Sequence, residues 1–167
     1  LMSYAVDPNL DVEFGVARKV RSPNLYERYT WSSWSMAAGM NNFVGDGNGY
    51  VGDVDLDPEK AYTVSATFDW HAEGRSWEVK ATPYYTQVSD YIDAVKRPGW
   101  EPDQFNVLQY ANQSARLYGI DVSARAPLGS NDWGVWGLQG LLNYTDGKNR
   151  DTGAHLYNIM PLNGTVT

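Results

Sequence analysis

The sequence predicts an all-β protein of antiparallel up-and-down strands, and three observations carry that prediction. Apolar and polar residues alternate with a period of two in five separate segments. The connections between those segments alternate short and long. Tyr and Trp dominate the aromatic residues, 12 and 7 against 4 Phe. Each carries an apolar ring with one polar handle, which suits a place where a greasy side meets a wet one.

In chain order, a tight turn at Asp7-Pro8-Asn9 precedes the first segment, where Leu10, Val12, Phe14 and Val16 alternate with Asp11, Glu13, Gly15 and Ala17. Roughly forty residues follow from Arg21 to Pro58, longer than a compact soluble domain usually leaves without structure of its own. A short turn of helix near Asn24 to Tyr29 is the one helical expectation, because no segment sustains a 3.6-residue stripe. In the second segment Tyr62, Val64, Ala66, Phe68 and Trp70 alternate with Thr63, Ser65, Thr67 and Asp69. Its length of about nine residues is what a tilted strand needs to cross a bilayer. A short turn from His71 to Arg75 leads to the third, which sets Trp77, Val79, Ala81, Pro83 and Tyr85 against Glu78, Lys80, Thr82, Tyr84 and Thr86. After a medium loop around Lys96 to Gln104, the fourth sets Tyr118, Ile120, Val122, Ala124 and Ala126 against Gly119, Asp121, Ser123 and Arg125. A turn at Pro127 to Asp132 leads to the fifth, Trp136, Leu138, Leu142 and Tyr144 against Gln139 and Asn143, and a last loop begins at Asp146.

Alternation alone does not choose between a protein core and lipid, since a soluble sandwich also has one wet face. Loop asymmetry favours a membrane barrel, whose short turns lie on one side and long loops on the other. The aromatics Trp70, Trp77, Tyr84, Tyr85, Tyr91, Trp133, Trp136 and Tyr144 fall near segment ends, where an interfacial belt belongs. No stretch approaches the roughly 18 apolar residues of a spanning helix. Leu1 to Leu10 lacks the basic start and apolar core of a signal peptide, so the chain is expected to begin in mid-protein.

Charge and composition exclude other classes. With 13 Lys+Arg against 20 Asp+Glu, the net charge of −7 offers no clustered cations for counterion release, so no nucleic-acid partner is expected. The absence of Cys removes disulfides, thiolate zinc sites and cysteine nucleophiles. The 167 residues suffice for one ordinary domain, and no composition shift or repeat marks a second.

Four short motifs add a resemblance. Arg21-Ser22-Pro23-Asn24-Leu25-Tyr26-Glu27-Arg28-Tyr29 resembles the R-x-P-x-L-x-E-x-Y element of TonB-dependent receptors. Leu56-Asp57-Pro58-Glu59 is similar to that family's L-x-P-E at the start of a descending strand. Tyr84-Tyr85-Thr86-Gln87-Val88-Ser89-Asp90-Tyr91-Ile92 is similar to its F-Y-x-x-x-x-D-x-I. Asn112, with Ala115 to Asp121, resembles N-x-x-x-A-x-x-x-G-x-E, with Asp121 where Glu is usual. The four stand in the family's order, in phase with the strands. The resemblance implies a stretch of a 22-stranded transmembrane β-barrel from its C-terminal half, without the N-terminal plug domain. It further implies uptake of a scarce nutrient, a ferric siderophore or a metal such as copper, across the bacterial outer membrane. The implied partners are that ligand, the plug domain of the same full-length chain, the TonB complex and outer-membrane lipid. The residues from 21 to 58 would form a long extracellular ligand-capturing loop. The rival reading of the same alternation is a soluble all-β carbohydrate-binding module.

Candidate site residues lie in that long connection. Tyr26, Tyr29, Trp31 and Trp34 offer an aromatic vestibule for a siderophore. Met36 and Met40, set among Trp31, Trp34 and Asn41-Asn42, offer thioether sulfurs suited to Cu(I); packing of the loop explains them equally simply. Asp46 to Asp55 places oxygen ligands at alternating positions but lacks the terminal Glu of a calcium loop, that position being Asp57. Gly and Asn there suit a solvated hairpin tip. Catalysis is not expected: His71 and His155 lie far apart along the chain, neither beside a serine nucleophile and an orienting acid. Glu78 with Lys80, and Asp121 with Arg125, read as charges on the polar face. No cofactor is implied.

Overall fold

In a computed structural model of the chain, residues 1–40, 45–99, 105–157 and 159–167 are described. The strands are β1 (Met2–Asp7), β2 (Leu10–Arg21), β3 (Gly49–Val51), β4 (Glu59–His71), β5 (Glu78–Lys96), β6 (Val107–Asn131), β7 (Gly134–Asn149) and β8 (Asn163–Val166). Two short helices, α1 (Leu25–Tyr29) and α2 (Ser35–Met40), precede β3. The sheet runs β1-β2-β4-β5-β6-β7-β8, with β3 added in parallel to β6 through Gly49 and Val107. β1 pairs antiparallel with β2, β6 with β7 and β7 with β8. Four of the five alternating segments lie within strands, the third loses only Trp77, one residue ahead of β5, and the strands run beyond them.

Those extensions correct several expected boundaries. The turn expected over Pro127 to Asp132 shrinks to Asp132-Trp133, because β6 continues to Asn131. Pro127 is accommodated by a register shift between Pro127 and Gly129, where one extra residue bends the strand. β7 likewise continues past Asp146 to Asn149. The connection expected over Lys96 to Gln104 falls partly on 100–104, outside the described residues.

Two compact units organise the contacts. One comprises Leu1–Arg18, Ala61–Gln87 and Ala115–Thr167; the other comprises Lys19–Lys60 and Val88–Ser114. β2, β4, β5 and β6 contribute residues to both.

The first unit has an inverted polarity. Along β4 the apolar row is the open one, with Tyr62, Val64 and Trp70 exposed to 49%, 53% and 41%. The polar row is tied down: Thr63 hydrogen-bonds Thr86 at 2.8 Å and Thr67 hydrogen-bonds Thr82 at 3.0 Å. Trp77, just ahead of β5, Val79 and Tyr85 on β5, and Trp136, Leu138, Leu142 and Tyr144 on β7, are exposed as well. Along β4, along β7, and along β5 with the residue before it, a Trp and a Tyr stand eight residues apart: Tyr62 and Trp70, Trp136 and Tyr144, Trp77 and Tyr85. At about 3.3 Å per residue and a barrel strand's tilt, that spacing brackets an apolar band of roughly 20 Å. A sheet facing water on this side would leave the band unsatisfied; a lipid-facing wall would not.

Charged groups collect on the opposite row. Asp69, His71 and Glu78 are buried, and Arg75 reaches Asp11 at 2.8 Å and Asp69 at 3.0 Å. Arg125 pairs with Glu78 at 2.6 Å, and Lys80 binds Glu78 too. The expected grouping of Arg125 with Asp121 is therefore replaced by Glu78, while Asp121 accepts a 2.8 Å bond from Asn143. Tyr84 also departs from the expected belt. It lies over Gly119, donating or accepting at 2.6 Å with Thr145, and a side chain at 119 would stand 2.7 Å from its hydroxyl. A glycine makes room for the ring, which fills the gap on the polar side.

Candidate functional site

The 21–58 connection is not structureless; it folds into much of the second unit. Asn24, itself extended, caps α1 by accepting from the Glu27 backbone N–H at 2.8 Å. Glu27 returns the bond to the Asn24 N–H at 2.8 Å, completing a capping box for a helix of only five residues. Beyond α1, Trp31 bridges to Val51, and the Ser32 N–H donates to the Tyr50 carbonyl at 2.8 Å. α2 follows with Ala37 and Ala38 buried beneath it. β3 then joins β6, a close approach that needs glycine at 49, where a Cβ would lie 2.1 Å from the Ser32 carbonyl oxygen.

The motif residues converge on a single network that holds both ends of this connection. Arg21 donates from Nη1 to both Glu27 oxygens at 2.9 and 3.0 Å and from Nε to Glu59 Oε2 at 2.6 Å. The other Glu59 oxygen accepts from the Ile92 N–H at 2.8 Å. Both carboxylates are nearly buried, at 12% side-chain exposure, while the guanidinium is about half exposed. Hydrogen bonding to Glu59 raises the Arg21 pKa above its ordinary value, against a smaller opposing effect of burial. Asp90 adopts a positive φ of 59°, and its carboxylate binds Lys60 at 2.8 Å. Asn112 closes the network: its Nδ2 donates to the carbonyls of Asp57 and Asp90 at 3.0 and 2.7 Å, and its Oδ1 accepts from the Asp57 N–H at 2.8 Å. Sequence reading found these residues only as a resemblance; no local signal tells that Arg21, Glu59, Asp90 and Asn112 meet.

The aromatic candidates separate into two groups. Tyr26 is half-buried against Tyr50 and Tyr110, with ring centroids 6.5 and 6.1 Å away, and Tyr50 stacks on Tyr110 at 5.6 Å. Burial raises the Tyr110 hydroxyl pKa, with Tyr26 and Glu27 adding to the effect. Tyr91, expected near a membrane boundary, is half-buried in this unit as well. Tyr29, Trp31 and Trp34 remain exposed, at 63%, 58% and 55%. The Arg97 guanidinium lies 5.2 Å from the Trp31 ring centroid, a cation–π contact that sequence reading missed. Met36 and Met40 are exposed at 70% and 78%, one helical turn apart on α2. Asn41 and Asn42, grouped with them above, lie outside the described residues.

Oxygen and nitrogen donors are less available. Among the described residues no group of three or more His, Asp and Glu side chains is arranged to hold a metal. Asp46 turns both oxygens inward, accepting from the Asn48 N–H at 3.1 Å, the Asn48 Nδ2 at 2.7 Å and the Tyr50 hydroxyl at 2.6 Å. Burial alone would push the Asp46 carboxyl up; these donors outweigh it and hold the pKa below the usual carboxylate value. Asp53 caps its own turn through the Asp55 N–H at 2.9 Å. The solvated hairpin tip expected over Asp46 to Asp55 is therefore corrected: between these two turns Gly49–Val51 is buried and joins β6 in parallel, so the stretch is no hairpin. His71 bonds Asp11 at 3.1 Å and His155 bonds Asp146 at 3.0 Å, neither with a serine hydroxyl.

The family described as TonB dependent receptor-like, beta-barrel, matches residues 2–167. No curated protein matches the chain. Among solved structures, "Copper transporter OprC" superposes with a TM-score of 0.68 at 20% identity, covering 97% of this chain and 22% of that one. The siderophore receptor PirA from Pseudomonas aeruginosa superposes with a TM-score of 0.59 at 19% identity, covering 88% and 24%. At these identities the likeness is one of fold, and the chain spans under a quarter of either structure.

Proposed function

The chain belongs to the TonB-dependent receptor-like β-barrel family, and we propose that it is barrel wall from a receptor importing a scarce nutrient across the bacterial outer membrane. The observation that carries this reading is the pairing of an inverted wall with a clamped, water-facing loop. The wall turns Tyr62, Val64, Trp70, Leu138 and Leu142 outward. The loop, fixed at both ends by Arg21, Glu59 and Asn112, displays Trp31, Trp34, Met36 and Met40. Its ligand is a ferric siderophore or a metal such as copper, and the rest of the full-length chain supplies the plug domain and the contact with the TonB complex. Trp31, with Arg97 over its ring, and Trp34 suit an aromatic, anionic siderophore; Met36 and Met40 suit a soft cation. Tyr29, exposed and two residues before Trp31, belongs with the first group, whereas Tyr26 packs in the tyrosine stack. The soluble carbohydrate-binding alternative has no observation in its favour, since its apolar strand faces would have to be buried.

Isothermal titration of the intact receptor tests the reading. A ferric catecholate siderophore and Cu(I) are each titrated into wild type, Trp31→Ala/Trp34→Ala and Met36→Ala/Met40→Ala. Loss of affinity on the order of tenfold for one ligand in the matching variant supports the loop as the capture element and names the ligand class. Unchanged affinity for both ligands in both variants overturns it.

A further inference from the structure

Two cations stand directly opposite each other on the outward face of β6 and β7. The antiparallel register pairs Arg116 with Lys148, then Tyr118 with Asp146, Ile120 with Tyr144, Val122 with Leu142 and Ala126 with Leu138. No shift intervenes between Ala115 and Pro127, so the period of two keeps Arg116 on the face of Ile120, Val122 and Ala124. That is the apolar, open face, where Ala124 and Leu138 lie in one shallow groove with Trp77 and Val79. Like charges directly opposite on a sheet repel. Arg116 is exposed, and among the described residues neither it nor Lys148 has a carboxylate within ion-pair reach. Asp146, on the same face, is engaged by the Tyr118 hydroxyl, the Gly147 N–H at 2.8 Å and His155 at 3.0 Å.

A third cation repeats the arrangement. On β2, Arg18 follows Phe14 and Val16, both exposed, along the apolar stripe. Its Nε donates to the Tyr62 hydroxyl at 3.1 Å and its guanidinium lies 5.7 Å from the Tyr62 ring centroid. All three cations therefore mark the tyrosine end of their stripes: Arg18 on Tyr62, Arg116 just before Tyr118, Lys148 just after Tyr144. The other end is marked by Trp70, Trp77 and Trp136.

We propose that Arg116 and Lys148, with Arg18 farther along the rim, form a docking site for the phosphate-bearing headgroup of an anionic lipid. The inference rests on the barrel-wall reading above. A phosphate seated between Arg116 and Lys148 converts their repulsion into two attractions, and a guanidinium offers it a fork of donors. The apolar residues beneath, Ile120, Val122, Leu142 and Tyr144, take the acyl chains. Long cationic side chains at a stripe's end reach the headgroup level while their stems stay on apolar surface.

Native mass spectrometry of the full-length receptor, released from detergent with bound lipid, reads the site. Probes are bis-phosphorylated lipid A, phosphatidylglycerol, zwitterionic phosphatidylethanolamine and inorganic phosphate. Wild type retains an anionic lipid in preference to phosphatidylethanolamine, and Arg116→Gln/Lys148→Gln lowers that retention on the order of tenfold. Arg125→Gln, on the polar face, leaves it unchanged. Retention that is equal in wild type and the double variant, or inorganic phosphate binding as tightly as lipid, overturns the proposal. Insertion of both proteins into vesicles of phosphatidylethanolamine with phosphatidylglycerol separates the two failures. A receptor that inserts without the lipid preference loses only this site; one that inserts in no bilayer loses the wall reading and the site together.

Discussion

Val64 and Val54 are almost equally exposed, at 53% and 55%, yet they sit in regions built on opposite principles. Val64 belongs to the unit whose apolar rows are open and whose threonines and charges are bonded to one another. Val54 belongs to the unit that packs as a water-soluble protein does. Among the described residues, eight of the eleven buried hydrophobic ones, Tyr50, Leu56, Ile92 and Val107 among them, fall in this second and smaller unit. Composition averages the two and hides both. The surrounding medium can instead be read from which row of a strand is left unsatisfied, because a hydrogen-bonded polar row beside an open apolar one is stable only against hydrocarbon.

The sharpest way to break this comparison is to charge both valines. Val64→Arg should destabilise the full-length receptor by about 2–4 kcal/mol in a bilayer, the cost of a cation near the middle of a lipid-facing strand. Val54→Arg should stay within about 0.5 kcal/mol, as an exposed substitution in water does. Unfolding titrations in vesicles measure both, and equal effects would dissolve the distinction between the units.

A smaller effect is expected at the clamp. Arg21→Ala leaves Glu27 and Glu59 facing each other without their shared cation, which should cost about 1–3 kcal/mol once the guanidinium's exposure is allowed for. The loss should appear as faster hydrogen exchange across 24–57, with the wall strands unchanged. Arg21→Lys should recover only part, since an ammonium cannot present the fork that serves two carboxylates. Exchange that rises equally in β7 would show that the clamp is general to the fold and not specific to the loop.

The smallest effect is a pH dependence at the tip of the Asp46 turn, ahead of β3. The Asp46 pKa is lowered on folding, so its contribution is present above the ordinary carboxylate pKa and is lost as pH falls through the folded value. Exchange protection at Asn48 and Tyr50 should therefore fall below about pH 4, and Asp46→Asn should remove that dependence. A tip equally protected at pH 3 and pH 6 would argue against an ionised Asp46 as its organiser.

Much of the wall was legible because strand facing is a local property. Alternation placed Thr63, Thr67, Thr82 and Thr86 on one side and Tyr62, Trp70, Trp77 and Tyr85 on the other, and the side chains follow it. Strand ends were less legible, since Leu108-Gln109-Tyr110-Ala111 carries no clean alternation where β6 enters the second unit. α2 was missed because six residues are too few for a helical stripe. At the candidate site, the sequence singled out Trp31, Trp34, Met36 and Met40, and the structure adds that all four are exposed. It could not tell that Tyr26 turns inward, because its partners Tyr50 and Tyr110 are remote in the chain.

The sequence by itself determined the all-β class, the facing of the five alternating segments, the helix start at Asn24 and the family motifs, all of which depend on neighbours a few residues apart. Only the tertiary structure decided that those motifs meet around Arg21, that Glu78 rather than Asp121 takes Arg125, and that Arg116 opposes Lys148. Each of these depends on register and on chain closure over long separations, and a shift of one residue in the pairing would undo all three.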